Sequence, residues 1–347
     1  MDLPFPFGLP FASAFYGALL ALTFTMHLVF AQIVLGGTAW LAILGIKNAP
    51  HDSVAQTLRN WLPFALGIAI TLGVAPLLFL QIVDKQGFYT AGLLGSHRFM
   101  AILPALIVGF YLLYLQKKLG NMAHRSWRVL LPILTLLAFT LTGYSWSEQH
   151  VLAQDRDVWA SMYAASRMRY SGAEVLPRFL FFASTSLPTV ALAVLLLTSE
   201  AKRCAGVAWI GIAGMLVSAA WLFGTMPPSR LAAWSGGNLA WSIALAAGLA
   251  TAAAGWSLVR FRSRIRPALL VPSWLVVVLS IAALREGLRI ASLRTRGAAR
   301  EQLVRAHERA FEVGGFPVFV LFALLLVCLL AWLSRRVARE LSRSPGA

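Results

Sequence analysis

Residues 11–46 read FASAFYGALLALTFTMHLVFAQIVLGGTAWLAILGI, an unbroken run with no Asp, Glu, Lys or Arg. About 20 mostly apolar residues in a helix cross the roughly 30 Å hydrocarbon core of a bilayer, because each adds about 1.5 Å. This run is longer than one crossing needs, so it tilts or projects beyond the bilayer. A β-barrel is excluded, since it would show short segments alternating apolar and polar residues. Eight further stretches qualify, at about 61–83, 99–116, 129–146, 176–198, 205–226, 231–258, 267–284 and 314–334. The expected fold is an all-α polytopic transmembrane helix bundle of about nine spans, a single integral membrane domain over 1–347.

Composition agrees. Of 347 residues, 59% are hydrophobic and 12% charged, and mean hydropathy is +0.73. A soluble domain carries about twice that charged fraction. Soluble enzymes and disordered chains are therefore excluded, and two cysteines exclude a disulfide scaffold. The net charge of +17 would suggest nucleic acid in a soluble chain. Here no nucleic-acid module supports that, and the basic residues read as anchors at the bilayer surface. MDLPFPFGLP at the start lacks a basic region, so the first run does not read as a cleaved signal peptide. The expectation is a multi-pass protein of the cell inner membrane.

The Lys and Arg loops favour N-out, C-in. Lys47, Arg59, Lys117, Lys118, Arg125 and Arg128 then lie inside, with further inside clusters at Lys202–Arg203, Arg260–Arg266 and Arg335–Arg343. Half of the outside Lys and Arg come from one segment, 285–312, which reads as an arginine-rich interfacial helix interrupted at Gly297. The same segment could dock an acidic partner or an anionic substrate group. Residues 147–175 mix acids, bases and aromatics and read as an outside loop with a short helix.

With these boundaries all 13 acids fall outside the spans. That argues against a proton-coupled transporter, which keeps a carboxylate at membrane depth. Of six histidines, only His27 lies well inside a span. Two readings stand for it: a haem-iron ligand, for which neutral imidazole suits an apolar bundle, or a histidine hydrogen-bonded to Thr23 one turn away. His97 and His150, at the outside ends of the third and fourth spans, could ligate a second haem or complete the first. In GVAPLLFLQIVDKQGFYT (73–90), Pro76 kinks a span, and Gln81 and Tyr89 beside apolar walls suit a quinone. A helix cap and an aromatic belt explain the same string. Arg285 and Arg289 are one helical turn apart, fitting a carboxylate or propionate clamp or contact with headgroup phosphates. No CxxC, CxxCH, Walker A, GxGxxG, HExxH or GxSxG motif occurs.

TMHLVFAQIVLGGTAWL in the first span, the nine spans and the N-out start resemble subunit I of the cytochrome bd-type quinol oxidases and related bacterial membrane electron-transport proteins. The resemblance covers the first helices and the topology. It implies a haem-bearing role for His27 alone. The family's intramembrane glutamates have no counterpart within the spans as drawn. Nor is there a long quinol-binding loop between the sixth and seventh spans, where MPPSR is found. The expected function is a membrane electron-transfer subunit binding haem b, quinone or both. It would work with a redox partner on the outer face or with other membrane subunits. The alternatives are a non-catalytic assembly partner and a transporter of an anionic or lipid-like substrate.

Overall fold

The computed structural model describes residues 11–47, 51–120, 124–166, 170–228, 231, 237–262, 270–294 and 297–343. Of the stretches to which the sequence reading gave a sidedness, residues 1–10, 167–169, 230, 263–266 and 295–296 lie outside the described residues. Among the described residues there is no strand.

The helices are α1 (Phe11–Ile46), α2 (Ser53–Val83), α3 (Lys85–Leu94), α4 (Ser96–Met100), α5 (Ile102–Leu119), α6 (Arg125–Gln154), α7 (Trp159–Ala164), α8 (Val175–Leu197), α9 (Ala201–Thr225), α10 (Gly237–Arg262), α11 (Leu270–Arg294), α12 (Gly297–Ala310) and α13 (Phe316–Arg343). Eight candidate spans are long and apolar enough to cross a membrane, and the bent pair Val304–Val313 and Phe316–Leu329 would make a ninth. The chain is thus a multi-pass helical membrane bundle. At about 1.5 Å per residue α1 is about 54 Å long, so it does project beyond one bilayer crossing.

Helix α1 is the hub, packed against α2, α6, α8, α11 and α12. Small residues let it do so. A Cβ at Gly36 would strike the backbone of Ser186 on α8, so that position requires glycine for close helix approach, and one at Gly37 would press on the end of the Leu62 side chain on α2. Apolar side chains such as Leu103, Leu137, Ile210, Val217 and Ile243 point outward and stay exposed. That inverts the rule for water-soluble proteins and presents an apolar surface to lipid.

The α1–α8–α11 seam is fastened by a buried polar relay. Gln32 Nε2 donates to Thr185 Oγ1 at 2.8 Å. Thr189 Oγ1 donates to Gln32 Oε1 at 2.7 Å and accepts from Trp274 Nε1 at 2.8 Å. Gln32, which meant little in the sequence, is therefore a structural residue. Thr189→Val strands both the Gln32 oxygen and the Trp274 N–H, and should cost about 1–3 kcal/mol. A lowered thermal midpoint in detergent is the expected readout, against an unchanged midpoint for exposed Thr71→Val on α2.

Two boundaries differ from the sequence reading. Helix α6 continues to Gln154, so 147–154 is helix and the loop begins at Asp155. Helix α11 runs on to Arg294, and its candidate span Leu270–Ile290 contains Glu286, which is 0% exposed. The expectation that every acid lies outside the spans therefore fails. Charge marked a span end where the chain instead continues as helix, because Glu286 is neutralised from its own helix by Arg285 and Arg289. Beyond α11, α12 is described from Gly297 onward, and residues 295–296 lie outside the described residues.

Candidate functional site

Between these helices lies an elongated cavity of about 680 Å³, within the size range of small-molecule and cofactor sites. Its walls follow from helical periodicity. Helix α1 contributes Leu20, Phe24, His27, Leu28, Ala31 and Val34; α2 contributes Ala69, Gly73, Pro76, Leu77 and Leu80; α6 contributes Phe139, Gly143, Trp146 and His150. These positions recur at spacings of three and four residues, one face of each helix. On α2 and α6 the inward face includes small residues, which leaves the space open. Helices α8, α9, α10 and α11 close the other side with residues including Phe182, Met215, Leu245 and Ile281.

The wall is mostly apolar, and its polar groups are few: His27, His150, Arg178 and Arg285, with Thr and Ser hydroxyls. His27 is the most informative. Its Nδ1 lies 2.8 Å from the carbonyl oxygen of Ala69 on α2. A carbonyl can only accept, so Nδ1 carries the proton and, in a neutral imidazole, Nε2 presents a bare lone pair. No second hydrogen bond to His27 forms among the described residues. Thr23 is not its partner, because Thr23 Oγ1 donates to Leu19 O at 2.7 Å. Gly73 supports the ring from behind: a Cβ there would sit 3.0 Å from His27 Cε1 and Nδ1. The imidazole is thus oriented by α2 and faces an apolar cavity with one nitrogen available.

His150 lines the same cavity, but its Nε2 accepts from Gln154 Nε2 at 2.8 Å. His97 is exposed on α4, beside Ser96, and is not among the lining residues. The pair proposed from sequence is therefore separated. Gln81 and Tyr89 do meet, with Tyr89 Oη donating to Gln81 Oε1 at 3.0 Å, but on an exposed face away from the cavity lining.

Arg285 lines the cavity and lies 4.4 Å over the face of Phe24, a cation–π contact that fixes the guanidinium. Arg289 is 1% exposed, donates to Glu286 Oε2 at 2.7 Å and lies 4.0 Å from Asp84. Arg156 pairs with Asp84 at 2.8 Å. Arg178, which the sequence reading counted only as a loop charge, also lines the cavity and pairs with Glu174 at 2.8 Å. Arg156, Arg178, Arg285 and Arg289 are thus each paired with a carboxylate of Asp84, Glu174 or Glu286. Arg178 had a readable signal, an acid four residues earlier at the start of a span.

Among the described residues no group of three or more His, Cys, Asp or Glu could hold a bare metal ion. A haem needs fewer protein ligands, because the porphyrin supplies the equatorial nitrogens. No family model and no curated protein matches the chain. Its function is therefore read from the cavity.

Proposed function

We propose that the chain is a haem-b-binding electron-transfer subunit of a bacterial inner membrane, oriented N-out and C-in. The observation that supports this most directly is His27. Its imidazole is tied through Nδ1 to Ala69, which leaves Nε2 as the ligating nitrogen, and the residue lines a cavity of about 680 Å³. A second-atom tether of this kind is how metal-binding histidines are held in one tautomer and orientation. The rest of the wall suits the same group. Haem is a flat apolar macrocycle with two carboxylates, and the cavity combines apolar faces with Arg178 and Arg285. When bound, haem b supplies one-electron redox chemistry.

In this reading His27 holds the iron and Gly73 keeps the ring in place. Arg178 and Arg285 neutralise carboxylates, and the apolar walls keep water away, which tunes potential through the local dielectric. Electrons would pass between the quinone pool and a redox partner on the outer face. Gln81 and Tyr89 sit at an exposed patch of α2 and α3, where a quinone in the bilayer could meet them.

The deciding experiment is the visible spectrum of the protein purified in detergent from haem-replete cells, oxidised and dithionite-reduced. A Soret band and a reduced α-band are expected. A colourless preparation, with no band after haem is added back, sinks the proposal.

A further inference from the structure

Helix α12 packs on α1, α2 and α11, at the end of the bundle where Arg289 sits. Val304, His307 and Phe311, spaced three and four apart, turn toward the bundle, while Glu301, Arg305, Glu308 and Arg309 stay exposed. Phe311 meets Phe11 and Phe15 of α1 edge-on, with ring centroids 5.5 Å apart. It also packs on the buried cluster of Tyr16, Leu20, Leu80, Val83 and Phe88. Leu20 and Leu80 of that cluster line the large cavity, so one layer of side chains separates the α12 face from the cavity.

His307 is buried in the middle of that face, and both of its ring nitrogens are engaged. Nε2 lies 3.2 Å from the carbonyl oxygen of Ile82, in the last turn of α2. A carbonyl can only accept, so Nε2 carries the proton. Nδ1 is then bare and accepts from Ser13 Oγ, in the first turn of α1, at 2.7 Å. One neutral imidazole thus pins α12 to two other helices, using a carbonyl that the end of α2 leaves without a helical partner. Helix α1 brings no charged residue to it. Among the described residues, Asp84 faces it from the end of α2 and Arg289 from α11. Asp84 is already held by Arg156 and the Gly87 N–H, and Arg289 reaches the neighbouring carbonyl of Val83 at 3.5 Å. A second proton would turn the Nδ1 acceptor into a donor against Ser13 and set a cation beside a buried guanidinium.

We propose that α12 is a pH-sensitive lid over the outer end of the cavity, latched by His307 between Ser13 and Ile82 and released when His307 takes up a proton. The sign follows from the tautomer. A neutral ring closes both bonds and a doubly protonated one keeps only the bond to Ile82, so closure is lost as pH falls. Imidazole is the side chain that makes this change between about pH 5 and pH 8. Acidification would loosen the cover and let a ligand enter or leave. That the cavity holds a ligand, and that this end faces outward, rests on the function proposed above; the latch depends only on Ser13, His307 and Ile82.

The test is hydrogen–deuterium exchange of the full chain in lipid nanodiscs at about pH 7.5 and about pH 5, with rates corrected for the pH dependence of free amides. In wild type, protection of the amides of 301–311 should fall roughly tenfold at the lower pH, while α8 keeps its protection. H307Q offers one acceptor and one donor in place of the two ring nitrogens and cannot titrate, so its α12 should stay protected at both pH values. If H307Q is misfolded by size exclusion, S13A decides. Without the Nδ1 tether it should show, already at the higher pH, part of the exposure that wild type reaches only in acid. The proposal is overturned if wild-type protection does not change with pH, or if S13A matches wild type. It is also overturned if H307Q loses as much as wild type, which would put the titration on another group such as Asp84 or Glu312. The measurement needs no haem, so a colourless preparation would fail the haem reading and leave this result standing.

Discussion

His27→Ala should remove the ligated haem spectrum, abolishing or strongly shifting the Soret and reduced α-bands, while the protein still elutes as a folded species. The fold should survive because His27 is only partly buried and makes one hydrogen bond to a backbone carbonyl, Ala69. That carbonyl also belongs to the α2 helical ladder. The deleted ring leaves space on the cavity wall, so added imidazole should restore the band in part. Gly73→Ala provides a graded companion. Its methyl would sit 3.0 Å from two atoms of the ring, so the imidazole must shift by a few tenths of an ångström. Disturbing the support of a metal ligand typically weakens affinity about 10–100-fold. The expected result is a shifted band and faster haem loss, not a missing band. If His27→Ala leaves the spectrum unchanged, this ligand assignment is wrong, and His150 becomes the residue to replace.

The helices were legible in the sequence because a bilayer imposes a simple length and polarity requirement on every span. Helix α1 needed nothing beyond its uncharged 11–46 run. The cavity was legible only in outline. His27 stood out because an ionisable group in a span is costly. Its partner was misread, since sequence offers only neighbours on the same helix, such as Thr23, while the true acceptor is Ala69, 42 positions away. A backbone carbonyl carries no sequence signal at all. His97 and His150 looked equivalent at span ends, yet four more residues of helix turn His150 inward, whereas the short α4 leaves His97 outside. Gln81 and Tyr89 were rightly associated, eight positions apart on consecutive helices, but only packing decides which way such a pair faces.

Glu286→Gln should be among the most destabilising single changes in the chain. Glu286 is 0% exposed and holds Arg285 and Arg289 through separate carboxylate oxygens. Arg289 has a second acid within 4.0 Å, Asp84, but Asp84 is already shared with Arg156. Removing the one charge takes away the carboxylate that both guanidiniums share. Breaking a buried ion pair by deleting one partner typically costs about 3–5 kcal/mol, because the remaining charge stays buried without compensation. The effect also reaches the cavity, since Arg285 is held between Glu286 and the Phe24 ring. A loosened Arg285 should weaken haem retention in step with stability. Glu301→Gln gives the contrast. Its partner Arg305 is one turn along the same helix, and both side chains are about 70% exposed, so solvent screens the pair and the loss should stay below about 0.5 kcal/mol. Thermal unfolding in detergent should show a midpoint several degrees lower for Glu286→Gln and nearly unchanged for Glu301→Gln. Equal midpoints for the two variants would mean that water reaches the Glu286 cluster and that it is not the closed electrostatic wall of the site. Pairing Glu286→Leu with Arg289→Leu would then separate charge from packing: it deletes one charge of each sign together, so it should recover much of the stability that Glu286→Gln loses.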